Sequence, residues 1–172
     1  MSAMLVFFRS SRRRMIDEMT EHPGGLRASF ARAIRVSAAD WRLLAGASLM
    51  HVLAWFALRT APVPRARAMC AHLRPVTNLI LRGSDARVIW AIEASGRRLA
   101  GLSTCLVRAI IVDVCLSTRE RPLRVVIGVR RTIAGEFQSH AWVDDRDRIL
   151  IGGSKASTAE FVPVVAWPSI TA

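Results

Sequence analysis

Residues 137–153 have the sequence FQSHAWVDDRDRILIGG, and together with residues 123–131 (LRVVIGVRR) they decide the fold. Residues 123–131 are rich in β-branched residues. The side chains of residues 137–144 alternate between two faces, as they do in a strand. The charged residues at 145–147 predict a tight turn that returns the chain along residues 148–152. We therefore expect a small antiparallel meander.

The position of the turn predicts which residues of the meander are neighbours. A turn centred near residues 146–147 places Gly152 or Gly153 opposite His140. Asp144 lies on the same strand face as His140, but about 13 Å away along an extended strand. His140 is therefore expected beside a glycine and out of direct reach of Asp144.

A predicted helix that carries a candidate nucleophile precedes the strands, at residues 103–116 (STCLVRAIIVDVCL). Ser103 or Thr104 is a suitable N-cap, so Cys105 falls in the first turn, where free backbone N–H groups and the helix dipole favour an anion. Such a place favours a thiolate nucleophile, and Arg108 adds positive charge one turn on. Cys115 is expected to be a small core residue. A lone cysteine at a helix start is more often inert, so Cys105 requires a base.

The first half of the chain is predicted to be helical. A helix begins at Ser37 or Asp40, and its residues 43–58 carry no formal charge. That run is shorter than the roughly 20 apolar residues of a membrane span, so we favour a buried core helix over a membrane-associated one. His51 within it is expected to be a core histidine, because no second metal ligand lies one turn away.

Two shorter helices are expected before residue 103. The first covers about residues 65–73, and its Cys70 and His72 are too close in sequence to share a helix face, so both are expected to be structural. The second begins at Ser84 or Asp85 and is expected to break at residues 95–96, a Ser-Gly pair.

Composition limits the class of protein. The 172 residues are 52% hydrophobic, enough for a real core, and 25 basic against 13 acidic residues give a formal charge of +12. Lys155 is the sole lysine, so the charge reflects an arginine-rich composition as much as an anionic partner. The three cysteines form no CxxC pair, which argues against a disulfide scaffold or a zinc site. The opening is apolar before basic, the reverse of a secretory signal, so a cytoplasmic location is expected.

Three motifs in order resemble a known family. Cys105-Leu106-x-Arg108 at a helix start, Ile127-Gly128-Val129-Arg130 and His140-Ala141-Trp142-Val143-Asp144 are similar to the lasso-peptide maturation protease, a transglutaminase-like leader peptidase. The likeness covers about residues 37–165. It implies an α+β fold with N-terminal helices followed by a papain- or transglutaminase-like core that holds a small antiparallel sheet.

The resemblance also implies the chemistry. Cys105 would be the nucleophile and His140 the general base, with no cofactor and no metal. The family commonly has an aspartate about twelve residues after the histidine, where this chain has Gly152. The group that orients His140 is therefore left open. The candidates are Asp144, which is a weak one, and the side chains of Ser154 and Gln138; otherwise Cys105 and His140 act as a dyad. If the register is right, Gly152→Asp is expected to preserve or raise activity.

Domain boundaries and partners follow from the same resemblance. Residues 1–36 are expected to be a basic, poorly ordered extension, too short for the family's leader-recognition domain, and residues 166–172 a C-terminal tail. The implied partners are the precursor leader peptide, a separate leader-recognition protein and an ATP-dependent lasso cyclase. Nucleic acid and a transmembrane span are not expected.

Other functions stay open at the level of sequence. The same Cys–His pair serves a transglutaminase-like acyltransferase, and the domain could also be an inactive scaffold. A nucleic-acid or membrane-surface binder driven by the +12 charge is a further alternative, although its five tryptophans lie mostly in apolar surroundings rather than among arginines.

Overall fold

The computed structural model of the protein describes residues 37–133, 135–146 and 148–168. Helices come first and an antiparallel sheet follows, so the fold is α+β, as the sequence predicts. The helices are α1 (Ala38–Thr60), α2 (Val63–Ala71), α3 (Arg74–Ile80), α4 (Asp85–Arg98), α5 (Cys105–Leu116) and the short α6 (Lys155–Thr158), and the strands are β1 (Arg124–Arg131), β2 (Phe137–Asp145), β3 (Arg148–Ile151) and β4 (Val162–Pro168). The extension expected at residues 1–36 lies outside the described residues.

The sheet has the strand order β3-β2-β1-β4, and all three pairings are antiparallel. The meander β1-β2-β3 is the one that the sequence predicts, and it pairs Gly128 with His140. Strand β4 was not predicted, and it adds to the free side of β1. It continues to Pro168, so sheet structure extends past the boundary expected at residue 165.

A bulge in β3 corrects the predicted register. Asp144 pairs with Ile149, but Val143 pairs with Ile151, so Leu150 is an extra residue. The shift carries Gly152 along the strand, and its Cα faces the backbone of Trp142 rather than that of His140. A β-bulge of this kind leaves no composition signal, because any residue adopts it.

Helix α5 forms the centre of the core. It packs against β1, β2 and β3 on one side and against α1, α2 and α4 on the other. Every residue from Ala109 to Val114 is buried, which explains the long apolar run in its sequence. Thr104 is the N-cap and accepts a hydrogen bond from the Val107 N–H (3.2 Å), as predicted.

A buried ion pair ties the layers together. The Arg67 guanidinium of α2 donates to the Asp113 carboxylate of α5 at 2.8 Å, and both side chains are almost completely buried. Arg67 also donates to the Pro168 carbonyl at the end of β4 (2.9 Å) and lies over the Trp167 ring. One side chain thus joins α2, α5 and β4.

Helix α4 does not break where the sequence predicts. It continues through Ser95 and Gly96 to Arg98, and both small residues are buried. The Ser95 hydroxyl donates to the Leu44 carbonyl of α1 (3.2 Å), so the pair allows α1 and α4 to approach closely. Packing against α1 therefore overrides the local preference of Ser-Gly for a turn.

Helix α1 is long and apolar enough to cross a membrane, a criterion that the core helix of a globular protein also meets. One side of it is buried against α2 and α4, and Leu49, Val52 and Phe56 are exposed on the other. His51 is completely buried, as the sequence predicts. Its Nδ1–H donates to the Ala47 carbonyl at 2.8 Å, one turn back in α1.

Removal of the Asp113 carboxylate is expected to destabilise the fold strongly. Asp113→Ala leaves the Arg67 charge buried without its partner, which costs about 3–5 kcal/mol. Urea denaturation measures this loss of unfolding free energy. The double variant Arg67→Met/Asp113→Leu is expected to recover most of it, and a loss below about 1 kcal/mol in Asp113→Ala would contradict the assignment.

His51 predicts how stability depends on pH. Burial lowers its pKa, the Ala47 carbonyl partly opposes the shift, and the Arg108 guanidinium lowers it further. Because the unfolded chain then binds a proton more readily than the folded chain, stability is expected to fall as the pH drops below about 6.5. Melting temperatures between pH 7.5 and 5.5 are expected to fall more for the wild type than for His51→Leu. Equal slopes would refute the prediction.

Candidate active site

Cys105 is the first residue of α5, and its free thiol is half-buried. Since Thr104 caps Val107, the backbone N–H groups of Cys105 and Leu106 have no intrahelical acceptor and point out of the helix start. The other two cysteines have different surroundings. Burial raises the pKa of Cys70 to about 11 and that of Cys115 to about 12, which disfavours both as nucleophiles at neutral pH.

His140 lies in the middle of β2 with its ring half-buried. The ring packs near Trp142, with centroids 6.3 Å apart, and near Phe161, with centroids 5.3 Å apart. Its Nε2 atom is 2.6 Å from the Gly152 carbonyl oxygen. Because a carbonyl only accepts hydrogen bonds, Nε2 must carry the proton, and in the neutral ring Nδ1 is the basic nitrogen.

The side chains considered as partners for His140 are engaged elsewhere. Asp144 accepts a hydrogen bond from Arg124 (2.8 Å), and Gln138 accepts one from Arg130 (2.7 Å). The Ser154 hydroxyl bonds within its own turn, to Ser157. Within the described ranges, the group that orients His140 is therefore the backbone carbonyl of Gly152. The side-chain pattern carries no signal for a backbone acceptor, so sequence reasoning missed this role.

A cavity of about 410 Å³ opens beside the His140 ring, and Arg108, Glu93 and Gly152 also line it. Arg108 lies three residues after Cys105, so the two residues share one face of α5. Helix α5 packs against β2, the strand that carries His140. Arg108 of α5 and the His140 ring therefore line the same cavity, and Cys105 lies one turn before Arg108, outside the set of residues that line it. A volume of this size is typical of sites that bind small molecules or a few peptide residues.

The rim of the cavity is charged. The Arg130 guanidinium forms an ion pair with Glu160 and lies 4.8 Å from the centre of the Phe161 ring. In the described part of the chain, no three metal-ligating side chains come together. The side chains that line the cavity supply one imidazole, two guanidinium groups, two carboxylates and one hydroxyl.

Comparison with protein-family models matches residues 43–166 to the transglutaminase-like superfamily. The chain belongs to this superfamily. The matched region runs from α1 to β4 and contains both Cys105 and His140. Comparison with curated proteins and with solved structures gives no match. Members of the superfamily are often cysteine peptidases or acyltransferases, so membership fits the Cys–His chemistry without choosing between these activities.

The backbone at position 152 contradicts the expectation that Gly152→Asp is tolerated. Gly152 has φ of +99°, a conformation that side chains rarely adopt. A Cβ atom there would lie 2.6 Å from the Trp142 Cβ and 2.8 Å from the Ala141 carbonyl oxygen. An aspartate cannot enter without moving β2 or β3, and the group that contacts the His140 ring here is the Gly152 carbonyl.

Gly152→Asp is therefore expected to lower the unfolding free energy by about 1–3 kcal/mol and to release the His140 ring. Gly153→Asp is the matched control, because Gly153 also has positive φ (+113°) but its Cβ would meet only the side chain of Ser157 and no backbone atom. Urea denaturation compares the two variants. A Gly152→Asp protein as stable as the wild type would contradict the clash.

The tautomer has its own measurement. ¹⁵N NMR of the imidazole nitrogens of the wild type is expected to give a protonated Nε2 and an unprotonated Nδ1 at a pH where the ring is neutral. In Gly152→Asp this pattern is expected to be lost, while Gly153→Asp keeps it. A wild-type ring protonated at Nδ1 would refute the hydrogen bond to Gly152.

Proposed function

We propose that this transglutaminase-like domain is a cysteine peptidase in which Cys105 is the nucleophile and His140 the general base. The observation that carries the proposal is the hydrogen bond from His140 Nε2 to the Gly152 carbonyl. It leaves the basic Nδ1 atom on a ring that borders the cavity next to the first turn of α5. Nucleophilic thiol catalysis needs a base held in one tautomer within reach of a thiol, and we propose that Cys105 at the start of α5 is that thiol.

The reaction follows from these groups. His140 Nδ1 accepts the Cys105 proton, and the thiolate attacks the scissile carbonyl carbon. The backbone N–H of Cys105 donates to the resulting oxyanion. When the C–N bond breaks, His140 gives its proton to the leaving amine, and a thioester stays on Cys105. Water, deprotonated by His140, then hydrolyses the thioester to a free carboxylate and restores the thiol.

The substrate we propose is a lasso-peptide precursor, from which the enzyme removes the leader peptide. This finer assignment comes from the three motifs at Cys105, Ile127 and His140, whose order resembles the leader peptidases of lasso-peptide maturation. A separate leader-recognition protein would present the precursor. The cleaved product would pass to an ATP-dependent cyclase, since closing a macrolactam requires an activated carboxylate.

A charge-driven binding function has less support. Six arginines of the described region form ion pairs with carboxylates, so these guanidinium groups are already engaged within the chain. These are Arg67, Arg87, Arg121, Arg124, Arg130 and Arg148.

Cys105→Ala and His140→Ala are each expected to reduce leader removal by about 10³-fold or more, because each removes one half of the catalytic pair. The assay is mass spectrometry of a lasso-peptide precursor incubated with the full chain and a leader-recognition protein. Cys115→Ala is the control and is expected to cleave at the wild-type rate. Circular dichroism checks that all variants stay folded. Cleavage retained by Cys105→Ala would remove the mechanism.

The mass of the product separates hydrolysis from acyl transfer. A peptidase gives a product with a free carboxylate at the cut. If an amine is present and an amide-linked adduct forms instead, the domain is an acyltransferase. An active wild type that gives only the amide adduct would therefore contradict the peptidase proposal.

A further inference from the structure

Three buried polar atoms converge next to the start of α5. They are Nε2 of His51 in α1, Oγ of Ser103 in the loop before α5, and Nε of Arg108 in α5. None of the three has a hydrogen-bond partner in the part of the chain that the structure describes. Leaving a buried polar atom unsatisfied costs about 1–3 kcal/mol, so three together at one place require an explanation.

Gly96 of α4 marks the point where the three groups meet. A Cβ atom on Gly96 would lie 2.6 Å from Ser103 Oγ, 3.3 Å from His51 Nε2 and 3.4 Å from Arg108 Cδ. Any residue larger than glycine would therefore push into the space between them. This is the position where the sequence predicts a helix break and where the structure instead continues α4.

The donors and acceptors of the three groups are complementary, so they can form a chain of hydrogen bonds. His51 Nδ1–H donates to the Ala47 carbonyl, so in the neutral ring Nε2 is an acceptor. A serine hydroxyl both donates and accepts, and arginine Nε–H only donates. A chain from Arg108 Nε–H to Ser103 Oγ, and from the Ser103 hydroxyl to His51 Nε2, satisfies all three atoms, either directly after small side-chain movements or through one bridging water.

We propose that His51 is a positioning residue for the nucleophile: through Ser103 and Arg108, it anchors the first turn of α5 over Gly96 and so fixes Cys105. The inference rests on the proposed function in that it takes Cys105 as the nucleophile. Ser103 lies two residues before Cys105 and Arg108 three residues after it, so the network holds the helix start from both sides.

The network requires a neutral His51. Burial lowers the pKa of this histidine, and the Arg108 charge that faces it from α5 acts in the same direction. Arg108 and Glu93 of α4 both line the cavity beside His140. The cluster thus links the core of α1 to the charged lining of the candidate site.

The test compares His51→Leu, which cannot accept a hydrogen bond, with His51→Gln, which keeps one donor and one acceptor. The readout is the rate at which iodoacetamide alkylates Cys105 in the full chain at pH 7.5, followed by mass spectrometry of the peptide. His51→Leu is expected to slow alkylation about tenfold, because the first turn of α5 that carries the thiol loses its anchor, and His51→Gln is expected to restore most of the rate.

Ser103→Ala gives the same test without altering the core. It removes the middle of the chain, so slow alkylation is expected here too. If His51→Leu and His51→Gln are slowed equally, or if Ser103→Ala reacts like the wild type, His51 serves packing alone and the inference is overturned.

Gly96→Ala tests the geometry of the cluster. Alanine favours a helix by about 1 kcal/mol relative to glycine, so helix stability alone would make the variant at least as good as the wild type. The added Cβ instead displaces Ser103, and slow alkylation of Cys105 is expected. Gly101→Ala is the control, because nothing lies within 4 Å of its Cβ. A wild-type rate in Gly96→Ala would contradict the network.

The failure of this inference is distinguishable from the failure of the proposed function. Alkylation needs no precursor, so the predicted pattern of rates supports the network even if the leader is never cleaved. When the precursor is cleaved, His51→Leu and Ser103→Ala are expected to lower kcat with little change in KM, since they move the nucleophile and leave the binding surface intact. Cleavage that requires Cys105 with an unchanged kcat in both variants refutes the network alone.

Discussion

Helix α5 is buried along nearly its whole length, between the helices on one side and the sheet on the other. Residues such as Ile110 and Ile111 are completely buried, and each contributes about 1.5–3 kcal/mol by leaving water. This burial fixes the helix against β2, and the Arg67–Asp113 ion pair fixes it against α2. Cys105 is at the start of α5, and His140 is on β2, the strand that α5 packs against. Both positions follow from that single packing arrangement.

The orienting group of His140 is a neutral one. A carbonyl holds the Nε2 proton and fixes the tautomer, as a carboxylate would, but its dipole stabilises an imidazolium less than a full negative charge does. The backbone at Gly152 explains the substitution, since its positive φ and the nearness of Trp142 admit no side chain. The Gly152 carbonyl and the packed ring of Phe161 together hold the His140 ring in place.

The sequence predicts the parts of the molecule that depend on local patterns. The helix start at Thr104, the burial of α5 and the β1-β2-β3 meander all follow from capping and periodicity. It does not predict features that arise from contacts between distant segments. Gly96 stays helical where α1 and residue 103 pack closely against it. The bulge at Leu150 and the contact of the Gly152 carbonyl with His140 involve backbone atoms, which the side-chain pattern does not reveal. The α+β class was therefore predictable, and the partner of His140 was not.

We propose that the thiol of Cys105 lies within reach of the His140 ring, at the cavity that this ring lines. The most direct measurement uses the His140→Cys variant and a short bifunctional reagent that links two thiols. Mass spectrometry of the digested chain then identifies which cysteines are joined. Cys70 and Cys115 are internal controls, since Cys70 lies in α2 and Cys115 lies at the opposite end of α5 from Cys105. We predict one dominant cross-link, between Cys105 and the thiol at position 140. Cross-links of position 140 to Cys70 or Cys115 instead, or none at all while both thiols react singly with the reagent, would contradict the claim.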